Sequence, residues 1–350
     1  MAKPEGLTED NETQFEDHFC NKLDVNGGFR VRHESKIDTD KELCIYFEDL
    51  EEFLESTQRD KLRALKEQFS VQWKEQFKQA FREALAEMPL FMVLKKGVQI
   101  NELHFDLIYF KPERESNSAQ QSLYKRNRYT AIRQWYFGKE VQNKSLDIVL
   151  SINGFVVVTI ELKNQGTSGD YTKAIEQYLK RDLSLSIFQQ PFLHIVCDND
   201  TVKMAAAFGD PPSEKDFRDF NQELVNVPKN DREYPVHYLY DEILLPDSLL
   251  NYIKSYLYQG SGKSWIFPRY HQQRATRKVV NEIKKRVQET GELDVRFLVQ
   301  HSTGSGKSNT IVWMAQNLRD VCVGDKSIFD SIVVLTDRIN LDDQISKDFQ

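Results

Sequence analysis

The segment SLDIVLSINGFVVVTIELK, residues 145–163, decides the fold expected of this chain. Two apolar runs rich in β-branched residues flank Asn153-Gly154, a dipeptide typical of tight β-hairpin turns. Asp147 lies within the first predicted strand, and Glu161 and Lys163 end the second. Residues two apart on a strand point to the same face, so Glu161 and Lys163 are expected to project together.

The register of this hairpin decides whether Asp147 joins them. A two-residue loop at Asn153-Gly154 would pair Asp147 with Ile160 and leave Glu161 on the opposite face, because a slip of one residue turns side chains over. The letters SING, residues 151–154, suit a type I turn closed by a left-handed glycine bulge. We predict this three-residue loop, or an equivalent bulge, because a shared metal ion requires both carboxylates on one face.

These residue types predict a magnesium site. Two carboxylates and a backbone carbonyl are hard oxygen ligands that suit Mg²⁺. Bound there, the metal would polarise a phosphate and lower the pKa of an attacking water. Lys163 is placed to orient that water or to offset charge on the phosphate. The alternative is an ordinary solvent-exposed strand end, since an Asp followed fourteen residues later by Glu-x-Lys is a short pattern.

The surrounding sequence predicts an α/β fold. Helices are expected over residues 8–23, 50–87 and 170–183, where apolar residues repeat at helical spacing. Strands are expected from the apolar runs LFMVL (90–94), LHFDLIYF (103–110) and FLHIVCD (192–198). Helices on both sides of a strand block indicate a mixed central sheet flanked by helices.

A glycine-rich phosphate loop is predicted further along. GSGKS occurs at residues 260–264 and 304–308. Such a loop binds phosphate between a strand and a helix. The second copy has the strand-like VRFLVQ (295–300) before it and the helix-like SNTIVWMAQNL (308–318) after it, whereas Pro268 follows the first copy. We interpret the first copy as a turn and the second as the binding loop.

The second copy assigns nucleotide contacts by residue. Lys307 is expected to contact the β- and γ-phosphates, with the Ser308 hydroxyl on Mg²⁺. The predicted loop comprises Thr303, Gly304, Ser305, Gly306, Lys307 and Ser308, and His301 stands where the first glycine of the strict pattern is expected. An acidic strand-end motif is absent before the sequence stops, and Asp342-Asp343 follows a turn. We therefore expect nucleotide to bind but not to be hydrolysed efficiently by this chain, which we interpret as a fragment.

Length and composition set wider limits. The 350 residues favour more than one domain, and we divide them into 1–207, a linker with a short helix at 208–262, and 263–350. No apolar run is long enough to span a membrane. Four widely spaced cysteines suggest reduced thiols and a cytoplasmic protein. The net charge of −7 lacks the excess positive charge usual in DNA-binding proteins.

Five segments in order resemble the R (restriction and motor) subunit of type I restriction-modification enzymes. The resemblance implies a PD-(D/E)xK nuclease joined to the start of a RecA-like, helicase-type motor. It further implies cleavage of double-stranded DNA with Mg²⁺ and ATP, alongside methyltransferase (M) and specificity (S) subunits. The segments are SLDIVLSINGFVVVTIELKN, AIEQYLKRD, IFPRYHQQ, VQHSTGSGKSNTIVWMAQNL and IVVLTDRINLDDQI.

The resemblance also assigns roles. Asp147, Glu161 and Lys163 take the nuclease positions, with Glu16 as the glutamate that such cores often add from their first helix. Gln177 and Tyr178 stand where the family tends to place a Gln-Tyr motif. Gln272 is the first choice for reading adenine, as in superfamily 2 helicases, and Gln273 is the alternative.

Other interpretations stay open from sequence. They are a stand-alone nuclease-helicase for DNA repair, or a nucleotide-binding module whose nuclease site is inert. The basic run 125–134 would line a DNA groove or form a solvated helix face.

Overall fold

A computed structural model describes residues 12–137, 145–166, 169–222, 225–259 and 265–336. Within them the chain divides into two compact units, one formed by Met1–Tyr109 and Leu123–Leu249 and the other by Phe110–Ser122 and Leu250–Gln350. The helices are α1 Glu12–Val25, α2 Phe47–Thr57, α3 Arg59–Phe69, α4 Trp73–Glu87, α5 Leu90–Lys96, α6 Ser118–Tyr124, α7 Tyr171–Leu179, α8 Pro246–Asn251, α9 Tyr270–Thr290 and α10 Lys307–Arg319.

The strands are mostly short. They are β1 Arg30–His33, β2 Thr39–Asp40, β3 Ile45–Tyr46, β4 Val98–Ile100, β5 Leu103–Phe105, β6 Tyr129–Tyr136, β7 Ser145–Ile152, β8 Phe155–Leu162, β9 Leu193–Cys197, β10 Val202–Ala206, β11 Arg218–Asp219, β12 Tyr258–Gln259, β13 Trp265–Ile266, β14 Cys322–Val323 and β15 Lys326–Ser327.

The first unit is built on a mixed sheet in the order β1-β6-β7-β8-β9-β10-β11. The pairs β1–β6 and β8–β9 are parallel, and the other neighbours along this order are antiparallel. Every residue of β8 is buried, so both faces of this central strand are covered. The predicted mixed α/β fold with a central sheet flanked by helices is thus observed in this unit.

The central hairpin confirms the predicted bulge but not the three-residue loop. Asn153 and Gly154 both have positive φ, 51° and 89°, as a two-residue type I′ turn requires. Ile152 pairs with Phe155 and Ser151 with Val156, but Leu150 pairs with Val158. Val157 is therefore the extra residue of a bulge, and it supplies the one-residue shift that the sequence required.

A large apolar core lies against one face of this sheet. It includes Trp135 and Phe137 of β6 and its following loop, with Tyr178 of α7 and Phe188 packed against them. The ring of Phe188 meets those of Phe137 and Tyr178 edge-on, both at centroid distances of 5.1 Å. This packing holds α7 against the strands that carry Asp147 and Glu161.

Several predicted elements differ in the structure. LFMVL forms α5 rather than a strand, because Pro89 presets the start of a helix and the buried Leu90, Phe91 and Leu94 follow helical spacing. The stretch 50–87 is interrupted between α3 and α4, where Ser70 adopts positive φ. In LHFDLIYF only Leu103–Phe105 is strand. The basic run 125–134 enters β6 and is not helical.

Residues 208–262 were expected to form a linker, but in the structure the polypeptide as far as Leu249 belongs to the first unit. Tyr234 packs its ring on Phe15 of α1 at 4.6 Å, and Tyr240 packs on Phe19 at 5.3 Å. Glu233 forms an ion pair with Lys22 of the same helix. This segment therefore covers the apolar face of α1. The short helix expected beyond it appears as α8 flanked by π-helical turns.

The second unit contains α9, α10 and the surrounding turns. Trp313 of α10 is fully buried and donates its ring N–H to the carbonyl of Tyr256 over 2.7 Å. The predicted strand VRFLVQ is not formed, and Leu298 is 91% exposed. A strand requires a hydrogen-bonded neighbour, and in the described part of this unit only the short pairs β12–β13 and β14–β15 form.

Two further expectations can be compared with the structure. In the part of the chain that the structure describes, no helix is long and apolar enough to cross a membrane. Cys20, Cys44, Cys197 and Cys322 are all free thiols. The first GSGKS copy at 260–264 and residues 337–350, which include Asp342-Asp343, lie outside the described residues.

Candidate metal centre and phosphate-binding loop

Asp147 and Glu161 come together at the open end of the central hairpin. Ile148 pairs with Ile160, so the next positions along β7 and β8 are Asp147 and Glu161. Directly opposite residues of an antiparallel pair share a face. The Asp147 carboxylate also accepts a hydrogen bond from the backbone N–H of Leu162 over 2.7 Å. The bulge thus brings both carboxylates onto the same face of the sheet.

Glu161 is almost completely buried, with 1% of its surface exposed. Its Oε1 accepts a hydrogen bond from Arg181 over 2.8 Å and lies 3.9 Å from the Lys163 ammonium. Its Oε2 is buried and has no hydrogen-bond partner among the described residues. Burial raises the pKa of Glu161, although Arg181 and Lys163 oppose the rise.

The pKa of Asp147 is raised as well. Burial and then the neighbouring charge of Glu161 raise its pKa well above the ordinary aspartate value, and the Leu162 N–H only partly opposes this. Two carboxylates held this close repel each other when both are ionised. A divalent cation between them would remove that repulsion.

Lys163 lies in the same cluster and is 6% exposed. Its Nζ donates to Glu12 of α1 over 2.8 Å. Burial favours the neutral amine, but the hydrogen bond to Glu12 and the charges of Glu161 and Asp147 outweigh it, so the pKa of Lys163 is raised. The side chain is therefore an ammonium at neutral pH.

The first helix contributes two glutamates to this region. Glu16, the residue suggested by the sequence, accepts hydrogen bonds from Arg133 over 2.8 Å and Gln134 over 2.9 Å. Its charge contributes to the raised pKa of Asp147. Sequence reasoning missed Glu12, which lies one turn earlier and reaches Lys163 directly. The four-residue spacing of the two glutamates on α1 was the available signal.

Helix α7 separates the two residues of the expected Gln-Tyr motif. Tyr178 is completely buried, and its hydroxyl lies 2.5 Å from Nδ1 of His194, whereas Gln177 is exposed. Tyr178 is therefore a core residue and does not reach solvent. Burial lowers the pKa of His194 to about 3, so its ring is neutral. Arg181, to which the sequence analysis assigned no role, lies two residues after the end of α7 and contacts Glu161.

The described residues contain no group of three or more histidine, cysteine, aspartate or glutamate side chains arranged around a metal position. The donors that fit Mg²⁺ are instead the carboxylates of Asp147 and Glu161. Both are hard oxygen ligands, which Mg²⁺ prefers and supplements with water. The unpartnered Oε2 of Glu161 is a buried acceptor of the kind that a cation would satisfy.

The second GSGKS copy forms a tight loop ahead of α10. Gly304 and Gly306 have φ of 76° and 79°, values that favour glycine, and α10 begins at Lys307. The Lys307 ammonium folds back onto the carbonyl of Ser302 at 3.0 Å, and Ser308 occupies the first turn of α10. The helix expected after the glycine-rich loop is thus formed, whereas the strand expected before it is not.

Gln272 and Gln273 of α9 differ sharply in their surroundings. Gln272 donates its side-chain amide to the carbonyls of Ser305 and Gly306, each over 3.0 Å. Gln273 points into the core and donates to the Tyr252 hydroxyl over 2.5 Å. Gln272 is thus the glutamine that contacts the loop. The ring of His301, at the loop's start, packs edge-on against His271 at 5.0 Å.

The described chain thus combines a mixed α/β unit whose central hairpin ends in an acidic pair with a unit that holds a glycine-rich loop ahead of a helix. Comparison with protein families is more specific. The model described as type I restriction enzyme R protein N terminus matches residues 9–207, more than half of the chain, and the chain therefore belongs to this family. A second model, SWI2/SNF2 ATPase, matches residues 271–350. No curated protein matched the chain.

Proposed function

We propose that this chain provides the nuclease and the first part of the ATP-dependent motor of a type I restriction enzyme R subunit. The observation that carries the proposal is the pairing of Asp147 with Glu161 across the bulged hairpin, with Lys163 beside them. The family match supports an R subunit rather than a stand-alone repair nuclease. The shared position of the two carboxylates argues against an inert site.

The reaction is hydrolysis of a phosphodiester bond in double-stranded DNA. When bound, Mg²⁺ would polarise the phosphate and make water a better nucleophile. Asp147 and Glu161 would hold it through carboxylate oxygens. The Lys163 ammonium donates a hydrogen bond to the attacking water or to a phosphate oxygen. As the water oxygen bonds to phosphorus, the bond from phosphorus to the leaving sugar oxygen breaks, the proton of the attacking water passes to solvent, and the leaving oxygen takes up a proton from solvent.

The second part of the proposal concerns ATP. The loop Thr303–Ser308 would cradle the phosphates, with Lys307 on the β- and γ-phosphates and Ser308 on Mg²⁺. Gln272 would read adenine from its position against the loop. ATP-driven translocation then belongs to the assembled motor.

The expected partners are double-stranded DNA and the methyltransferase and specificity subunits. The net charge of −7 lacks the excess positive charge usual in DNA-binding proteins, and the partner subunits would therefore supply further DNA contacts. Sequence recognition is assigned to those partners.

Metal binding gives the most direct test. Crystals of the chain grown with Mn²⁺ should show an anomalous peak about 2.1 Å from both carboxylates, the usual distance for a Mg²⁺-type site. Cleavage of plasmid DNA, measured with the partner subunits present, should be lost in Asp147→Ala and Glu161→Gln. Glu176→Gln, on the exposed face of α7, is the matched control. Absence of the peak, or full activity in Glu161→Gln, would refute the nuclease assignment.

A further inference from the structure

Arg181, two residues beyond the end of α7, is a buried cation beside the acidic pair to which the proposed chemistry assigns no role. It is 6% exposed, and its Nη2 donates to Oε1 of Glu161 over 2.8 Å. The same nitrogen lies 2.9 Å from the carbonyl of Ser145, the first residue of β7. The guanidinium therefore bridges the ends of the two strands that carry the acidic pair.

Two aromatic rings contact the guanidinium, in addition to the groups that accept its hydrogen bonds. The Phe137 ring centroid lies 5.2 Å from its central carbon, and the Tyr178 ring centroid lies 5.7 Å away. Tyr178 is itself fixed by His194 and packs beside Thr159, which precedes Glu161 by two residues on β8. Cation–π contacts of this kind are made more often by arginine than by lysine. Arg181 is thus fixed in one orientation by the core.

This contact makes the two oxygens of Glu161 unequal. Oε1 accepts from Arg181, whereas Oε2 is buried without a partner in the described ranges. A charge-assisted hydrogen bond to Oε1 limits rotation of the carboxylate. It also favours the ionised form that a metal requires.

We propose that Arg181 is a positioning residue that fixes Glu161 so that Oε2 faces Mg²⁺. This inference rests on the proposed nuclease function and adds a residue to it. The guanidinium would also repel a cation, but its charge is already shared between Glu161 and the Ser145 carbonyl. Groups that orient a metal ligand in this way usually change metal affinity or activity by about 10- to 100-fold.

The test measures Mn²⁺ binding to the 350-residue chain by electron paramagnetic resonance, without DNA and without turnover. Arg181→Met retains apolar packing but removes the donors, and we expect its Kd for Mn²⁺ to rise about 10- to 100-fold. Arg181→Lys should recover part of this loss, because an ammonium can still donate to Oε1. Lys180→Met, an exposed neighbour that loses the same charge, is the control and should bind as the wild type does.

The outcomes separate the inference from the function on which it rests. If the wild-type chain itself binds no Mn²⁺ at the acidic pair, the proposed nuclease function fails. If the wild type binds but Arg181→Met binds equally well or more tightly, only the positioning role is overturned. Circular dichroism checks folding. Should Arg181→Met not fold, Arg181→Gln is compared with Arg181→Lys: weaker binding by Gln supports the inference, and equal binding overturns it.

Discussion

At the scale of single residues, the two carboxylates that the proposed function needs lower the stability of the metal-free chain. Glu161 is buried and Asp147 is partly buried beside it, where the charge of Glu161 adds to the cost of ionising Asp147. The surrounding cations offset this only in part, since Lys163 is shared with Glu12. Without a divalent ion, the folded chain therefore holds more negative charge at this point than its surroundings compensate.

Asp147→Asn should stabilise the metal-free chain at neutral pH. The amide oxygen can still accept from the Leu162 N–H, while the buried negative charge is lost. We expect the free energy of unfolding to rise, because the cost of ionising a carboxyl beside Glu161 is removed. The measurement is chemical denaturation in the presence of a chelator.

The pH dependence has a definite sign. A carboxyl whose pKa is raised by folding costs stability as pH increases from its ordinary pKa through its raised value. The advantage of Asp147→Asn should therefore be present at pH 8 and disappear near pH 4. Added Mg²⁺ should stabilise the wild type and not the variant. Asp60→Asn, an exposed change on α3, serves as the control, and equal stabilities at pH 8 would contradict the prediction.

The two adjacent glutamines of α9 should differ in their effect on ATP binding. Gln272→Ala removes a buried side chain that contacts the phosphate-type loop and accepts from the Arg269 N–H, so we expect ATP affinity to fall about 10-fold and stability to fall by about 1–3 kcal/mol. Gln273→Ala leaves the buried Tyr252 hydroxyl without its donor, at a cost of about 1–3 kcal/mol. Titration with a fluorescent ATP analogue and thermal denaturation measure both effects. Loss of ATP binding confined to Gln273→Ala would reverse the assignment.

At the scale of secondary-structure elements, the hairpin turn is the most constrained feature. Gly154 has φ of 89°, and a Cβ at this position would lie 2.3 Å from the carbonyl oxygen of Tyr46. The Gly154 carbonyl also accepts from the Tyr46 N–H over 2.8 Å. Glycine is required here both for its backbone conformation and for the close approach of β3.

Gly154→Ala should destabilise the first unit by about 3 kcal/mol or more, a size typical of strain combined with a steric clash. Gly28→Ala is the matched control, because Gly28 also has positive φ, 70°, but open space around a new Cβ. The control should cost only about 1–2 kcal/mol, the penalty of the left-handed conformation. Thermal denaturation compares them, and equal losses would show that the Tyr46 contact does not matter.

The hairpin also shows how far the sequence could lead. Asn-Gly between β-branched runs specifies two strands, and the need for both carboxylates on one face predicted an irregularity. The sequence placed it in the turn, whereas the structure places it at Val157. Turn residues report local backbone preference, but the position of a bulge depends on how the strand packs against its neighbours.

Other parts of the site could not be read locally. Glu12 contacts Lys163 and Arg181 contacts Glu161 from other parts of the sequence, so their roles depend on packing. Tyr178 lies beside Gln177 in sequence but on the buried side of α7, a difference set by helical rotation. The run LFMVL is apolar throughout, and such runs do not distinguish a strand from a buried helix.

At the scale of the whole molecule, the two units provide separate reporters of ligand binding. The acidic pair lies in the first unit and the glycine-rich loop in the second. A ligand stabilises the folded unit to which it binds, by about 2.7 kcal/mol at one hundred times its Kd. We therefore expect two calorimetric transitions, one that rises with Mg²⁺ alone and another that rises further when ATP is added.

Variants assign these transitions. Asp147→Asn should remove only the Mg²⁺-dependent shift, and Lys307→Ala only the ATP-dependent one. For units of this size the shifts should be about 5–10 °C, since 1 kcal/mol moves Tm by about 2–4 °C. A single transition that loses both shifts in either variant would contradict the prediction.

The packing of residues 208–249 on α1 changes where the chain can be divided. The family match ends at residue 207, and a fragment cut there would expose Phe15 and Phe19, which Tyr234 and Tyr240 otherwise cover. The same helix carries Glu12 and Glu16 toward the acidic pair. The family match ends at residue 207, whereas the first compact unit extends to Leu249. The polypeptide that leads toward the second unit therefore also covers the apolar face of α1, the helix that carries Glu12 and Glu16.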